Sequence, residues 1–200
     1  MRDVPGKILF TQSQIRAAVR KIGFQIRAKL RQRNLTVVAV LNGSILFAAD
    51  LIRELDFPVE LGFLAASSYG AATQSSGHVR ISCPGALRVK GRDVLLVDDI
   101  LDSGLTLKTA RQFLKKRGSR RIWTAVLIRK QTGRKACVRP DFVALRVPNR
   151  FVVGYGLDWG GRFRNLPHIA IFKDHSVAAP PDGSLCLTRT PSHPSVRAPE

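Results

Sequence analysis

The sequence predicts an α/β fold: a mainly parallel sheet flanked by helices, with a small hood. Apolar runs of strand length alternate with helical patterns through the middle of the chain, an order typical of parallel strands with helices on both faces. Near the end, strands follow one another without helices between them, which predicts an edge or a hood there. The 200 residues suit one domain with or without a tail.

The first predicted element is an amphipathic helix over residues 12–31. Its apolar side chains recur every three or four positions, which is the period of one helix face, and Thr11 or Ser13 can cap its start. Most basic residues of this segment fall outside the stripe, so we expect them to form a solvated face. The apolar positions are Ile15, Val19, Ile22, Ile26 and Leu30.

In the rest of the chain, apolar runs predict buried strands and amphipathic patterns predict helices. Gly43 ends the first of these strands, and Gly118 ends the last helix, where glycine commonly stops a helix. In order, the predicted elements are strand 36–43, helix 45–55, strands 58–70, 78–82 and 93–99, helix 103–118, and strands 121–130, 141–147, 151–158 and 168–173.

Residues 1–173 are predicted to form one domain, and residues 174–200 a disordered tail. The composition changes at about Asp174, after which the chain is rich in Pro, Ser and Thr and shows little periodicity. Such segments do not bury enough apolar surface to fold.

The composition narrows the class of protein. The formal net charge is +19, which suits either a polyanionic partner or a solvated basic surface on an enzyme whose substrates carry phosphate. The basic residues are scattered, with no arginine-rich block among aromatics, so the sequence argues against a nucleic-acid partner.

The compartment is also constrained. No window is long and apolar enough for a membrane span, and the start lacks the apolar run of a secretory signal. The three cysteines are widely spaced and odd in number, which argues against a disulfide framework. We therefore expect a cytoplasmic protein without a membrane partner.

The stretch LLVDDILDSGLTL (95–107) predicts the functional site. Its apolar run brings Asp98 and Asp99 to the carboxyl end of a strand, where open α/β sheets bind ligands. The following DSGLT turn opens a helix, and amides at a helix start bind phosphate. Carboxylates beside a phosphate would repel it unless they hold hydroxyls or a metal, so a sugar phosphate with vicinal hydroxyls fits. The alternative is a capping aspartate after two solvated strand-end aspartates.

This stretch resembles the phosphoribosyl pyrophosphate motif of type I phosphoribosyltransferases. Three further segments resemble, in order, the pyrophosphate loop, the mobile active-site loop and the purine-binding hood of hypoxanthine-guanine phosphoribosyltransferases. These segments are VVAVLNGSILFAADLIREL (37–55), SSYGAATQSSGHVRI (67–81) and RPDFVALRVPNRFVVGYGLDWGGRFRNLPHI (139–169). The resemblance covers roughly residues 8 to 173 and implies the type I phosphoribosyltransferase fold, with a hood built from N-terminal and C-terminal segments.

The reaction implied by the resemblance is transfer of ribose 5-phosphate from phosphoribosyl pyrophosphate to a 6-oxopurine base. Its products are the nucleoside monophosphate and pyrophosphate. The resemblance also implies Mg²⁺ as cofactor and a homodimer or homotetramer. An oxocarbenium-like transition state would be stabilised mostly by placed charges.

The same resemblance assigns the residues around the sugar. Asp102 matches the carboxylate that handles the proton at purine N7, and Asp98 and Asp99 match the acidic pair facing the ribose hydroxyls and the magnesium water shell. Ser103, Gly104, Leu105 and Thr106 match the loop that binds the 5′-phosphate. The residues that match the pyrophosphate-binding positions are Leu41, Asn42, Gly43 and Arg164.

The purine, the metal and the lid are assigned in the same way. Lys130 matches the lysine that bonds O6, Phe151 the ring that stacks on the base, and Val152 a backbone contact to its edge. Asp158 matches a magnesium ligand beside the purine. Ser68 and Tyr69 match the lid. From the residues alone, Lys130 and Arg164 suit ordinary surface cations, and Phe151 and Val152 also suit sheet core.

The chain departs from the family pattern at Asn42, where many relatives carry lysine. Asparagine removes a positive charge but keeps the backbone amide. If the strained peptide linkage of the family occurs here, it joins Leu41 and Asn42. Trp159 in place of tyrosine is a milder change.

Two other functions are compatible with parts of the sequence. An RNA-binding regulator of the same fold suits the net charge, but such regulators need not keep Asp102 and lack the FVVGYGLD hood. A transferase for adenine or orotate is the other, and Lys130 argues against it because an ammonium donor favours a 6-oxo base. The choice among hypoxanthine, guanine and xanthine stays open.

Overall fold

Twelve elements are present in the computed structural model, which describes residues 5–31, 33–68, 79–133 and 136–172. The predicted tail lies outside these residues. The elements are β1 (Pro5–Phe10), α1 (Gln12–Leu30), β2 (Leu35–Leu41), α2 (Ile45–Arg53), β3 (Glu60–Ser68), β4 (Val79–Ser82), β5 (Asp93–Leu101), α3 (Leu105–Lys116), β6 (Arg121–Gln131), β7 (Phe142–Pro148), β8 (Val152–Val153) and β9 (Ile169–Phe172).

The main sheet has six strands in the order β4-β3-β2-β5-β6-β7. Strands β3, β2, β5, β6 and β7 are parallel, and β4 joins the edge antiparallel to β3. The predicted α/β class with a mainly parallel sheet is confirmed. Since parallel strands end at one edge, the loops after β2, β5 and β6 lie side by side there.

The main sheet is covered on both faces. Along β5, Leu95 and Val97 pack into the apolar cluster formed with α1 and α2, whereas Leu96 packs into the cluster formed with α3. This alternation follows the pleat of a strand buried on both sides. It holds the carboxyl end of β5 rigidly at the centre of the sheet.

Local signals explain the helix ends. Thr11 and Gln14 form a capping box at the start of α1, so Thr11, one of the two predicted caps, is the one used. The helix α3 ends at Lys116, and Gly118 has a φ of 81°, which is the left-handed conformation of a glycine stop.

The hood is a second sheet of three antiparallel strands in the order β1-β9-β8. It joins the two ends of the described chain, and the sequence patterns did not identify β1. The predicted strand 151–158 was wrong in extent, because only Val152–Val153 of this segment form a strand. Positive φ angles at Gly154, Tyr155 and Gly156 turn the chain out of the strand conformation.

In the part of the chain that the structure describes, no helix combines the length and apolar character needed to cross a membrane.

Candidate active site

The acidic pair lies near the end of β5. Asp98 is 4% exposed, and its Oδ1 accepts a hydrogen bond from the Asp99 amide (3.1 Å). Burial raises the pKa of the Asp98 carboxyl well above its usual range, and the charge of Asp99 raises it further. Burial also raises the pKa of Asp99, although hydrogen bonds and the charge of Arg164 oppose the rise. A ligand that supplies positive charge or hydroxyl donors would therefore stabilise the ionised pair.

The loop after β2 packs directly on this pair. A methyl group on Gly43 would overlap the Asp99 carboxylate, and a methyl group on Gly156 would overlap the Gly43 carbonyl. Gly43 thus lies between the acidic pair and the hood, and a side chain at either glycine would separate them. The peptide bond between Leu41 and Asn42 is cis, at the linkage where the resemblance had placed an unusual peptide.

A buried serine anchors the same loop. The Ser44 Oγ donates to the Val40 carbonyl (2.6 Å) and has no exposed surface. The Ile45 amide donates to the Asn42 carbonyl (3.2 Å), which leads the chain from the loop into α2. The loop therefore keeps its backbone in a defined conformation next to Asp99.

The DSGLT segment forms a turn that leads into α3. Gly104 has a φ of 83° and α3 begins at Leu105, so the glycine at this position allows a conformation that L residues rarely adopt. The Ser103 Oγ accepts from the Leu105 amide (3.3 Å), and the Ser103 carbonyl accepts from the Cys137 amide (3.0 Å). The amides at the start of α3, together with Ser103 and Thr106, make a site suited to an anion.

Asp102 and Lys130 form an ion pair across the ends of β5 and β6. The Lys130 Nζ lies 3.1 Å from the Asp102 Oδ2. The Asp102 side chain is 54% exposed and the Lys130 side chain 15%, so a solvent-accessible carboxylate stands beside a largely covered ammonium. The description of Lys130 as an ordinary surface cation does not fit this geometry.

The hood contributes a second ion pair. The Arg164 Nη2 lies 2.7 Å from the Asp158 Oδ1, and the Gly161 amide donates to the Asp158 Oδ2 (2.7 Å). The Arg164 Nη1 also donates to the Gly156 carbonyl (2.6 Å). Because Gly156 packs on Gly43, this network holds the guanidinium near the acidic pair. Arg164 is therefore a constrained residue and not a free surface arginine.

The two candidate purine residues differ in exposure. Phe151 is 49% exposed, so the alternative that it belongs to the sheet core is wrong. Val152 is 4% exposed, as a core residue would be, so its side chain offers almost no surface to a ligand. Sequence reasoning missed Phe172. The Trp159 ring stacks on it with 4.9 Å between the ring centroids, and the Phe151 ring meets it edge to face with 6.2 Å between the centroids.

A further contact that the sequence did not reveal joins the hood to α2. The Tyr155 hydroxyl donates to the Asp50 Oδ2 (2.6 Å). Burial, together with this bond to a carboxylate, raises the pKa of Tyr155. The two residues lie far apart in the chain and belong to no shared motif, so no sequence pattern could have paired them.

The candidate lid and metal ligands are only partly placed. Ser68 is the last residue of β3, and Tyr69 lies outside the described residues. Within the described ranges, no group of three or more His, Cys, Asp or Glu side chains is arranged to hold a metal. Magnesium needs only one or two carboxylates when substrate oxygens and water complete its shell, so Asp98, Asp99 and Asp158 fit it chemically.

Comparison with known proteins agrees with this geometry. A family described as phosphoribosyl transferase domain matches residues 6–159. The chain is 40% identical over 167 residues to a hypoxanthine-guanine phosphoribosyltransferase of Bacillus subtilis, covering 84% of this chain and 93% of that one. It is 38% identical over 168 residues to an enzyme of the same name from Streptococcus pyogenes, covering 84% and 93%.

A solved structure is similar as well. The hypoxanthine phosphoribosyltransferase of Staphylococcus aureus superposes with a TM-score of 0.78 at 33% sequence identity. The superposition covers 84% of this chain and 92% of that one. The likeness in fold therefore extends over most of both chains.

Proposed function

Because the chain belongs to the phosphoribosyltransferase family, we propose that it transfers ribose 5-phosphate from phosphoribosyl pyrophosphate to hypoxanthine or guanine. It is a purine salvage enzyme, and its products are IMP or GMP and pyrophosphate. The alternative of an RNA-binding regulator without transferase activity is not supported, since the relatives are named as transferases and the chain has both Asp102 and the hood.

The observation that best supports this proposal is the ion pair of Asp102 and Lys130 beside the start of α3. The two groups can face one base, with Lys130 donating to O6 and Asp102 accepting the proton from N7. An adenine amino group is itself a donor and would meet a second donor at Lys130. The pair therefore favours a 6-oxopurine.

The sugar phosphate is proposed to occupy the carboxyl end of β5. The amides of Ser103–Thr106 would bind the 5′-phosphate, where the α3 terminus adds favourable partial charge. Asp98 and Asp99 would accept hydrogen bonds from the ribose hydroxyls. Held in this way, the anomeric carbon would lie close to Asp102, and the oxocarbenium character of the transition state would be stabilised by nearby carboxylates.

The leaving pyrophosphate is proposed to bind the Leu41–Gly43 loop and Arg164. The loop offers backbone amides, and the guanidinium offers a fork of donors that matches phosphate oxygens. Asn42 adds an uncharged polar side chain here, so we propose that Arg164 is the principal protein cation for this group. The ion pair with Asp158 would hold the guanidinium in position between turnovers.

Magnesium is proposed to bind through Asp98, Asp99 and Asp158. When bound, it would neutralise charge on the substrate oxygens and on the leaving pyrophosphate. The positive charge of the bound ion would favour the ionised form of the buried pair Asp98 and Asp99, whose carboxylate oxygens could then bind it.

The base is proposed to stack on the exposed ring of Phe151, with the Val152 backbone at its edge. Ser68 and Tyr69 would belong to a lid that excludes water from the reactive sugar cation. The cytoplasmic location inferred from the cysteines stays a prediction.

Assembly into a homodimer or homotetramer is proposed as well. Three large apolar side chains at the surface support it, because each is more than a third exposed: Ile45, Leu46 and Leu61. Ile45 and Leu46 begin α2, one residue after the Asn42–Gly43 loop, so a second copy packed there would also stabilise the pyrophosphate loop. Light scattering coupled to size exclusion should report a multimer that Leu46→Glu dissociates. A wild-type monomer at the working concentration would contradict this.

The activity is tested with phosphoribosyl pyrophosphate, magnesium and each of hypoxanthine, guanine, xanthine and adenine. We expect turnover of hypoxanthine or guanine and none of adenine. Asp102→Asn should lower kcat by about 10²–10⁴-fold, the usual contribution of a general base. The matched control is Asp56→Asn, which changes an exposed aspartate outside the proposed site and should leave kcat within twofold.

One result would overturn the proposed function, and a second would overturn only the role proposed for Asp102. Absence of turnover with every base, while phosphoribosyl pyrophosphate still binds, would exclude the transferase. Full activity of Asp102→Asn would instead remove Asp102 from the chemistry and leave the transferase function in place.

A further inference from the structure

Two open grooves with basic linings meet at Arg120. The first, of about 820 Å³, lies beside the end of α1, and five of its eight lining residues are Arg or Lys. The second, of about 580 Å³, runs along α3, and six of its eleven lining residues are Arg or Lys. Arg120 lines both. We call the two together the basic groove.

The charge of the basic groove exceeds what the composition alone would produce. The chain has 33 Lys and Arg residues against 14 Asp and Glu. Among the described residues that line the groove, Asp56 is the single acidic one, and it is already paired with Arg31 at 3.6 Å. Folding therefore gathers basic side chains from distant segments into one region of positive potential.

One end of the second groove approaches the proposed phosphate turn, because its lining residues Cys137 and Val138 lie against Ser103 and Gly104, but the junction at Arg120 lies far from the proposed substrate site. Asp93 is the first residue of β5, and Arg120 precedes the first residue of β6, so the junction of the two grooves lies at the amino-terminal edge of the sheet. The acidic pair lies toward the opposite edge. At about 3.3 Å per strand residue, the two regions are on the order of 20 Å apart. The substrates of the transferase therefore do not account for the cations around Arg120, which can bind a second anion.

The centre of the groove is held in place. The buried Asp93 carboxylate accepts two hydrogen bonds from Arg120 (2.8 and 2.7 Å) and one from Arg33 (3.2 Å). The two arginines carry two positive charges against the one negative charge of Asp93, so the cluster keeps a net positive charge. The Arg120 side chain is still 55% exposed, so a fixed cation faces solvent where the grooves meet.

An exposed aromatic ring lies in the same groove. Phe24 is 64% exposed on α1 and lines the first groove, with the Arg27 guanidinium carbon 5.8 Å from its ring centre. Cations that follow a phosphate backbone and a ring on which a base can stack are the two components of single-strand recognition. An acidic peptide would use the cations but would have no base for the ring.

We propose that the basic groove binds single-stranded nucleic acid, with phosphates on its Arg and Lys side chains and a base stacked on Phe24. The α3 residues that line the groove, from Lys108 to Lys115, extend about 10 Å at 1.5 Å per helical residue, and the part beside α1 lengthens the site further. Scattered basic residues in the sequence thus become a continuous site once the chain folds.

The test measures fluorescence anisotropy of labelled single strands of about 15 nucleotides, RNA and DNA of one sequence, at several salt concentrations. The groove variant replaces three basic residues that line it: Arg31→Gln, Arg111→Gln and Lys115→Gln. The control removes the same charge from residues that do not line it: Arg53→Gln, Lys116→Gln and Arg146→Gln. Transferase turnover should be unchanged in both, which shows that both fold.

The groove variant should bind single strands at least tenfold more weakly than wild type. The slope of the logarithm of the binding constant against the logarithm of the salt concentration should fall in magnitude by about 2, because each of the three lost phosphate contacts contributes roughly 0.7 to it. The control should differ from wild type by less than threefold. Equal weakening of both variants would overturn the proposal, since net charge alone would then explain binding. RNA and DNA share the phosphate backbone that the groove would contact, and comparing the affinities of the two strands shows which of them the groove prefers.

Phe24→Ala tests the stacked base separately. It should weaken single-strand binding about fivefold or more without changing turnover. Duplex bound as tightly as single strands, an acidic peptide that competes equally well, or a Phe24→Ala protein with unchanged affinity would each contradict the proposal.

Discussion

At the scale of single residues, Gly43 shows how the site depends on the absence of a side chain. Its Cα lies against the Asp99 carboxylate on one side, while its carbonyl contacts Gly156 on the other. Any Cβ at position 43 must push the pyrophosphate loop away from the acidic pair. The sequence marked Gly43 as a strand end and, by resemblance, as a pyrophosphate residue, but it did not indicate this contact.

We expect Gly43→Ala to raise the KM for phosphoribosyl pyrophosphate at least tenfold, because a displacement near 1 Å can cost about a hundredfold in activity. Overpacking should also cost about 1–3 kcal/mol of unfolding free energy. Gly85→Ala is the control, since a methyl group there meets nothing within 4 Å. Kinetics and thermal unfolding of both proteins check this, and a Gly43→Ala protein as active and stable as the control would refute the packing argument.

At the scale of elements, Asp93 joins the amino-terminal ends of three strands. It begins β5, and its partners Arg33 and Arg120 precede β2 and β6. Burial alone would raise the pKa of Asp93, but its bonds to Arg120 and Arg33 outweigh burial and hold the pKa below its usual range. This contact therefore stabilises the fold only while the carboxylate is ionised.

The pH dependence of stability follows from the lowered pKa of Asp93. A carboxyl whose pKa is lower in the folded state contributes fully above the unfolded value, near 3.8, and loses its contribution as pH falls toward the folded value. Asp93→Asn should cost about 1–3 kcal/mol at neutral pH, discounted for the exposure of Arg120, and should flatten the loss of stability below about pH 4.

Denaturant unfolding from pH 7 to pH 3 measures this effect. Asp56→Asn, which removes an exposed ion pair, should change stability by less than about 0.5 kcal/mol. If both variants lose the same small amount and keep the same pH profile, Asp93 has no special role in joining the strands.

At the scale of the whole molecule, the domain prediction concerns residues 174–200. We expect a chain ending at Asp174 to retain the thermal midpoint and the kcat of the full chain, because the described sheet, hood and core lie within residues 5–172. The measurement compares both proteins by calorimetry and assay. A drop in midpoint of more than about 2 °C, roughly 1 kcal/mol for a chain of this length, would show that the last residues contribute to the fold.

The sequence by itself determined what depends on neighbouring residues. Period and composition identified the helices, most of the parallel strands and the glycine stop of α3, because these follow from local conformational preference and burial. The motif around Asp98–Thr106 also predicted a candidate site, since it occupies one strand end and one turn, whereas the role of Lys130 was implied only by the family resemblance. Residue patterns of this kind need no knowledge of how distant segments meet.

Only the tertiary structure decided which distant segments meet. It joined β1 to β9, paired Asp102 with Lys130, placed Gly43 between Asp99 and Gly156, and brought basic residues of α1 and α3 into one groove. It also reduced the predicted strand 151–158 to two residues, where glycines turn the hood toward Gly43. The physical reason is that sheet pairing and core packing select contacts between segments far apart in the chain, and no local preference encodes them.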